Sequence, residues 1–265
     1  MKKNIILILA MFIFQSVCFA MDKLNITYFN DIYHIIIPSS KISGINFVLS
    51  DKLITNQEMH KKMRSKLTIN TGFFDPVNQK TISYIYTDGI LTENPLMNEN
   101  IINNSELMDN WVKISGRTEF RVLKTDRGYE CDIAPHDAHY EGELITSAQG
   151  GPMLLPEMDL DEEFFVVIDD NGNVIRESAS VLHQCARTLI GIKNNDVHIF
   201  IITDKNPMTI YEAKELCETY KLDKAMAFDG GSSTSMNYKN KIHVVSTGIK
   251  GDNTGRKLKS FLIFK

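Results

Sequence analysis

The chain has 265 residues, enough for one large core or two modest domains, and 43% of them are apolar against 23% charged. That ordinary globular balance, with no excess of Pro or Gly, excludes the disordered and fibrous classes. A formal net charge of −4 leaves no electrostatic footprint for nucleic acid.

In chain order, the first signal is a leader. Lys2 and Lys3 precede an apolar run over residues 5–14, and small residues follow, ending at Cys18 and Ala20. This is the layout of a secretory signal peptide over residues 1–20, with the cut after Ala20. The run is short for a membrane span, and no second span follows. The mature chain, residues 21–265, is therefore expected in the periplasm or secreted. Loss of two lysines and no acid would deepen its charge from −4 to −6.

Residues 33–38 and 44–49 read as strands from their β-branched and aromatic content. Residues 56–67 read as a helix, because Met59, Met63 and Leu67 recur every four residues. A short strand then runs to Thr71-Gly72. Asp88-Gly89 turns a hairpin, and residues 112–114 and 119–124 read as strands around Gly116. The asparagine-rich residues 94–110 read as a surface excursion around a short helix. Two more hairpins turn at residues 169–173 (DDNGN) and at Asn194-Asn195. Residues 209–220 form the best helix, with Thr209 and Glu212 at capping-box spacing. Residues 225–228, 232–238, 242–246 and 257–264 complete the strands. A regular βαβ alternation is absent. The fold class expected is α+β: a single domain with a mixed, mostly antiparallel sheet and a few packed helices.

Metal and nucleophile motifs are missing. The mature chain keeps Cys131, Cys185 and Cys217, which cannot all pair, and none has zinc spacing. The seven histidines show no ligand spacing, and no GxSxG or Walker loop occurs. No cofactor is expected. A divalent metal shared by Asp75, Asp204 and Asp229 is open, though no spacing demands one.

Four segments share one arrangement, a strand running into a glycine turn with polar groups. They are residues 69–75 (INTGFFD), 147–154 (SAQGGPML), 184–191 (QCARTLIG) and 227–235 (AFDGGSSTS). In the last, Asp229 sits at a strand end, Gly230 and Gly231 leave backbone N–H groups bare, and Ser232 and Ser233 add hydroxyls. A carboxylate beside such donors suits an anion site, although Asp-Gly-Gly is equally good turn chemistry.

Taken together and in this order, the four segments resemble the phosphodiester glycosidase family. The resemblance rests on Asn70-Thr71-Gly72-Phe73-Phe74, Gly150-Gly151-Pro152, Arg187-Thr188-Leu189-Ile190-Gly191 and Asp229-Gly230-Gly231-Ser232-Ser233. The helix before Asp229 and Arg256 before the last strand also resemble the family. Two positions depart from the pattern: Ser232 and Thr71 stand where glycine is usual.

The resemblance implies hydrolysis of a sugar-1-phosphodiester, releasing an N-acetylglucosamine-like sugar from a glycan or envelope polymer. Asp229 is then the first catalytic carboxylate, Asp75 and Asp204 compete for the second role, and Asn70 orients a sugar hydroxyl or water. Arg187 is the phosphate ligand, because a guanidinium binds phosphate bidentately. Thr188, Gly72, Gly150, Gly151, Gly230, Gly231, Ser232, Ser233 and Arg256 complete the substrate-binding set, with Gly150, Gly151, Gly230 and Gly231 presenting backbone N–H groups. The partner is a carbohydrate or glycan phosphate. The alternatives are a glycosidase or lyase acting on phosphate-free polysaccharide, and a non-catalytic glycan-binding protein of the envelope.

Overall fold

A computed structural model describes residues 24–246 and 254–265, so the signal peptide expected at residues 1–20 lies outside the described residues. Among the described residues no helix is long and apolar enough to cross a membrane. The fold is α+β, and the strand pairs are antiparallel throughout.

The first sheet has six strands, in the order Asn25–Phe29, Ile32–Ile37, Asp196–Ile202, Arg187–Lys193, Lys224–Ala227, Met153–Leu155. The second has five: Ile242–Val245, Ser235–Tyr238, Leu67–Asn70, Leu258–Phe264, Ile45–Ile54. The third, also five-stranded, runs Ile90–Glu93, Ile85–Thr87, Glu143–Gln149, Thr118–Thr125, Gly128–Pro135. A separate hairpin pairs Val166–Ile168 with Val174–Glu177.

The sheets share one core. Ile35 and Ile199 from the first, Ile69 and Leu262 from the second, and Phe120 and Val122 from the third all pack into it. The strand Leu258–Phe264 shows why so few helices suffice. Side chains alternate across a strand, so Leu262 and Phe264 enter the shared core while Phe261 and Ile263 face Met59 of the helix Asn56–Met63. Each fully buried side chain of this size contributes about 1.5–3 kcal/mol, which fixes the strand's register from both sides. The helix Ile210–Thr219 covers the first sheet through Ile210, Ala213 and Cys217, against Leu189, Phe200 and Ala225.

Local signals explain the element ends. The expected box at Thr209 is present: Glu212 N–H donates to Thr209 Oγ1 at 3.2 Å, and Thr209 N–H to Glu212 Oε2 at 2.7 Å. The first helix stops at Met63, short of Leu67, because Arg64 takes a left-handed conformation at φ 50°. Asp88 and Gly89, at φ 50° and 73°, and Asn194 and Asn195, at 50° and 65°, make the expected tight hairpin turns. Residues 112–114 are a correction. They lie in a short helix, Trp111–Ser115, and not in a strand. Cys131, Cys185 and Cys217 are unpaired.

Candidate active site

Three strand ends from two sheets meet around Asp229. The strand Lys224–Ala227 delivers it, and its N–H donates to the Thr71 carbonyl at 2.9 Å, just past the strand Leu67–Asn70. Asn70 locks the junction. Its Nδ2 donates to the Asp229 carbonyl at 2.5 Å, and its Oδ1 accepts from Thr188 Oγ1 at 2.7 Å and Ser235 N–H at 3.0 Å. Both Asn70 and Thr188 are sealed in the interior. This corrects the expectation that they touch substrate: they hold the backbone that carries Asp229.

The glycines also serve the backbone. Gly151 sits at φ +101°, and a Cβ there would lie 2.5 Å from Glu163 Oε2. Gly231, at φ +56°, donates its N–H to the Ala186 carbonyl at 2.7 Å. The N–H groups of Gly150 and Gly151 donate to the Thr118 and Ala227 carbonyls, each at 2.9 Å. Gly72 is pressed against Ser83 and the Gln149 carbonyl. So the N–H groups of Gly150, Gly151 and Gly231 are spent on main-chain oxygens, against the expectation of an anion cradle. Gly230 differs, because its N–H meets the Asp229 carboxylate.

Asp229 faces a cavity of about 290 Å³ together with Asp75, Arg256, Phe73, Arg117 and Phe165. Although the residue is only half-buried, enclosure of its carboxyl pushes the pKa up to about 6. The Ser233 hydroxyl, the Arg256 charge and the Gly230 N–H all oppose that rise. Arg256 stacks over Phe74 with its guanidinium carbon 4.7 Å from the ring centre. Its Nη1 lies 3.0 Å from Ser233 Oγ and 3.4 Å from Ser232 Oγ. Ser233 therefore bridges cation and carboxylate. Among the described residues no carboxylate forms an ion pair with Arg256.

Two predicted residues fall elsewhere in role or place. Arg187 is buried, with Nε donating to the Met208 carbonyl at 2.9 Å and Nη2 to those of Ser180, Val181 and His183. Through Nε and Nη2 it clamps the loop behind the cavity, and it is not among the residues that line the cavity. Asp204 lines a separate depression with Tyr28, Tyr33 and His243 and does not reach the cavity. The shared metal site of Asp75, Asp204 and Asp229 therefore does not assemble. Asp75 does line the cavity, with Oδ1 accepting from Val77 N–H and Oδ2 from Asn100 Nδ2, each at 2.7 Å.

Sequence reading missed much of the wall. Asn100, Ile101 and Leu107 line the cavity from the segment expected to be a surface excursion, and Ile114 from the segment expected to be a strand. Arg117 lies over the Phe165 ring at 4.1 Å and donates to the Glu163 and Phe164 carbonyls. Burial lowers its pKa to about 10, so it stays charged at neutral pH. No motif announced it.

The molecule is thus an antiparallel α+β domain whose cavity sets an enclosed carboxylate beside an arginine. Residues 63–265 match the model of the family described as phosphodiester glycosidase, and the chain belongs to that family. A search of curated protein sequences gives no match. Among solved structures, the chain is similar to the zebrafish N-acetylglucosamine-1-phosphodiester alpha-N-acetylglucosaminidase catalytic domain, auto-inhibited by pro-peptide. The TM-score is 0.62 at 14% identity, covering 91% of this chain and 82% of that one. A putative exported protein from Burkholderia pseudomallei also has TM-score 0.62, at 12% identity, over 88% and 73% of the two chains. A hypothetical protein from Synechocystis gives 0.56 at 10% identity, over 91% and 61%. At these identities the likenesses show the shared fold.

Proposed function

We propose that the chain hydrolyses a sugar-1-phosphodiester at the Asp229 cavity, freeing an N-acetylglucosamine-like sugar and leaving a phosphomonoester. The observation that carries this reading is the bridge Arg256–Ser233–Asp229, whose two charged ends line one cavity. Family membership supports the reaction class.

Breaking the sugar C1–O bond expels a phosphomonoester, whose second pKa is only about 6. Such a leaving group needs a cation more than a proton. Arg256 supplies the cation, steadied by Phe74 on one side and the two serine hydroxyls on the other. Asp229, with its pKa near 6, is ionised above that pH. It takes a proton from the attacking water or balances the positive charge growing at C1. Asp75 is the second carboxylate of the cavity. Its oxygens already hold Val77 and Asn100, so its role is to shape the sugar pocket. Asn70 and Arg187 are positioning residues, acting through Asp229 and through the loop at Ser180.

Export fits the leader expected at residues 1–20 and the exported description of the Burkholderia neighbour. The test of the reaction class is a substrate panel. Purified protein should free sugar from N-acetylglucosamine-1-phosphodiesters and leave plain aryl glycosides intact. Equal hydrolysis of both would overturn the phosphate-directed reading.

A further inference from the structure

The hairpin Asn25–Phe29/Ile32–Ile37 and the hairpin Ser235–Tyr238/Ile242–Val245 lie at the edges of different sheets. Two depressions open beside them. One, about 510 Å³, is lined by Tyr28, Tyr33, Asp204, Lys205 and His243. The other, about 370 Å³, has the same two tyrosines together with Tyr238, Lys239 and Lys241. Tyr28 and Tyr33 are the common wall. They are cross-strand partners with ring centres 4.4 Å apart, and the Tyr28 hydroxyl is held by Asp31. Even so, Tyr28 is 52% exposed.

An aromatic ring offered to solvent, as Tyr28 is, and backed by the half-buried Tyr33, stacks well on the apolar face of a pyranose ring. The charges narrow the ligand further. Lys205, Lys239 and Lys241 outnumber Asp204 and Asp31 here, on a chain whose net charge is −4. Lys205 and Lys241 are exposed. A locally basic groove on an acidic protein is complementary to an anionic chain. Lysine meets phosphate as a point charge, without demanding one geometry, which suits a polymer held in several registers.

We propose that this groove is a second glycan site, holding a phosphate-bearing polysaccharide with its sugar rings on Tyr28 and Tyr33 and its phosphates against the lysines. The groove shares no residue with the Asp229 cavity. It governs retention on a polymer and leaves the chemistry on a small substrate untouched, so it stands or falls separately from the reaction proposed above.

The test is affinity electrophoresis of the full mature chain through gels containing phosphomannan or neutral mannan. Three proteins are compared: wild type, Tyr28→Ala and the double variant Lys205→Glu/Lys241→Glu. Phosphomannan should retard the wild type. Both variants should lose about tenfold or more in apparent affinity while keeping the wild-type melting temperature. The substitutions sit on exposed side chains, and the double variant leaves the aromatic pair intact, so a folding defect in Tyr28→Ala does not remove the test. Neutral mannan should retard none of the three. Unretarded wild type, equal retardation of wild type and the double variant, or equal retardation by the neutral polymer would each overturn the proposal.

Discussion

Asn70 donates its side-chain amide to the main-chain carbonyl of Asp229 at 2.5 Å while its oxygen accepts from Thr188 and Ser235. One buried amide thus ties the carboxylate's backbone to strands of two sheets. Asn70→Ala leaves three buried polar groups without partners, at about 1–3 kcal/mol each before relaxation. Thermal denaturation should show a large loss of stability. Asn70→Asp keeps the two acceptor bonds but sets a buried carboxylate oxygen against the Asp229 carbonyl, so it too should lose much of its stability as well as turnover.

Asp229 is held against its own ionisation. Its pKa in the folded chain is about 6 against 3.8 for the ordinary side chain. A raised carboxyl pKa means the folded state binds the proton more tightly, so stability falls as pH rises from about 4 to about 6 and stays low above. Asp229→Asn removes that penalty. It should abolish turnover and raise stability at pH 7.5 by ~1–3 kcal/mol, and the stability gain should vanish below about pH 4. A variant that is both inactive and less stable at neutral pH would contradict the account.

The same group sets a pH profile. If Asp229 works ionised, kcat/KM rises through about pH 6. Arg256 lowers that pKa, so Arg256→Ala should move the rise to higher pH as well as slowing the reaction. Arg256→Lys should restore part of the pH position, since it keeps the charge, but less of the rate, since it loses the planar fork over Phe74.

Arg187 should behave as structure. Its guanidinium donates to four main-chain carbonyls from buried ground. Arg187→Ala and Arg187→Lys should both destabilise by roughly 2–4 kcal/mol, because an ammonium cannot reproduce the fork. The expected kinetic signature is a fall in active fraction with heating, without a selective rise in KM for phosphodiester substrates.

What could be read from the sequence depended on how local the cause was. The segment around Asp229 announced itself because a strand end, two glycines and two hydroxyls are a short-range pattern. The capping box at Thr209 was legible for the same reason. Arg187 misled because nothing near it in sequence says that its guanidinium will meet carbonyls at Ser180 and Met208. Residues 94–110 misled differently. Asn94, Asn98 and Asn104 cap short helical turns, so a cavity wall looked like a polar loop. The strand Gly128–Pro135 and the first half, residues 143–146, of the strand Glu143–Gln149 left no signal either.

The most direct test of the central claim is where oxygen from water ends up. Hydrolysis of an N-acetylglucosamine-1-phosphodiester in heavy-oxygen water should place the label on the sugar's anomeric hydroxyl, with Asp229→Asn giving no product. Label appearing in the phosphate would mean that the P–O bond breaks, and it would contradict the assignment of Arg256 and Asp229 to a glycosidic cleavage.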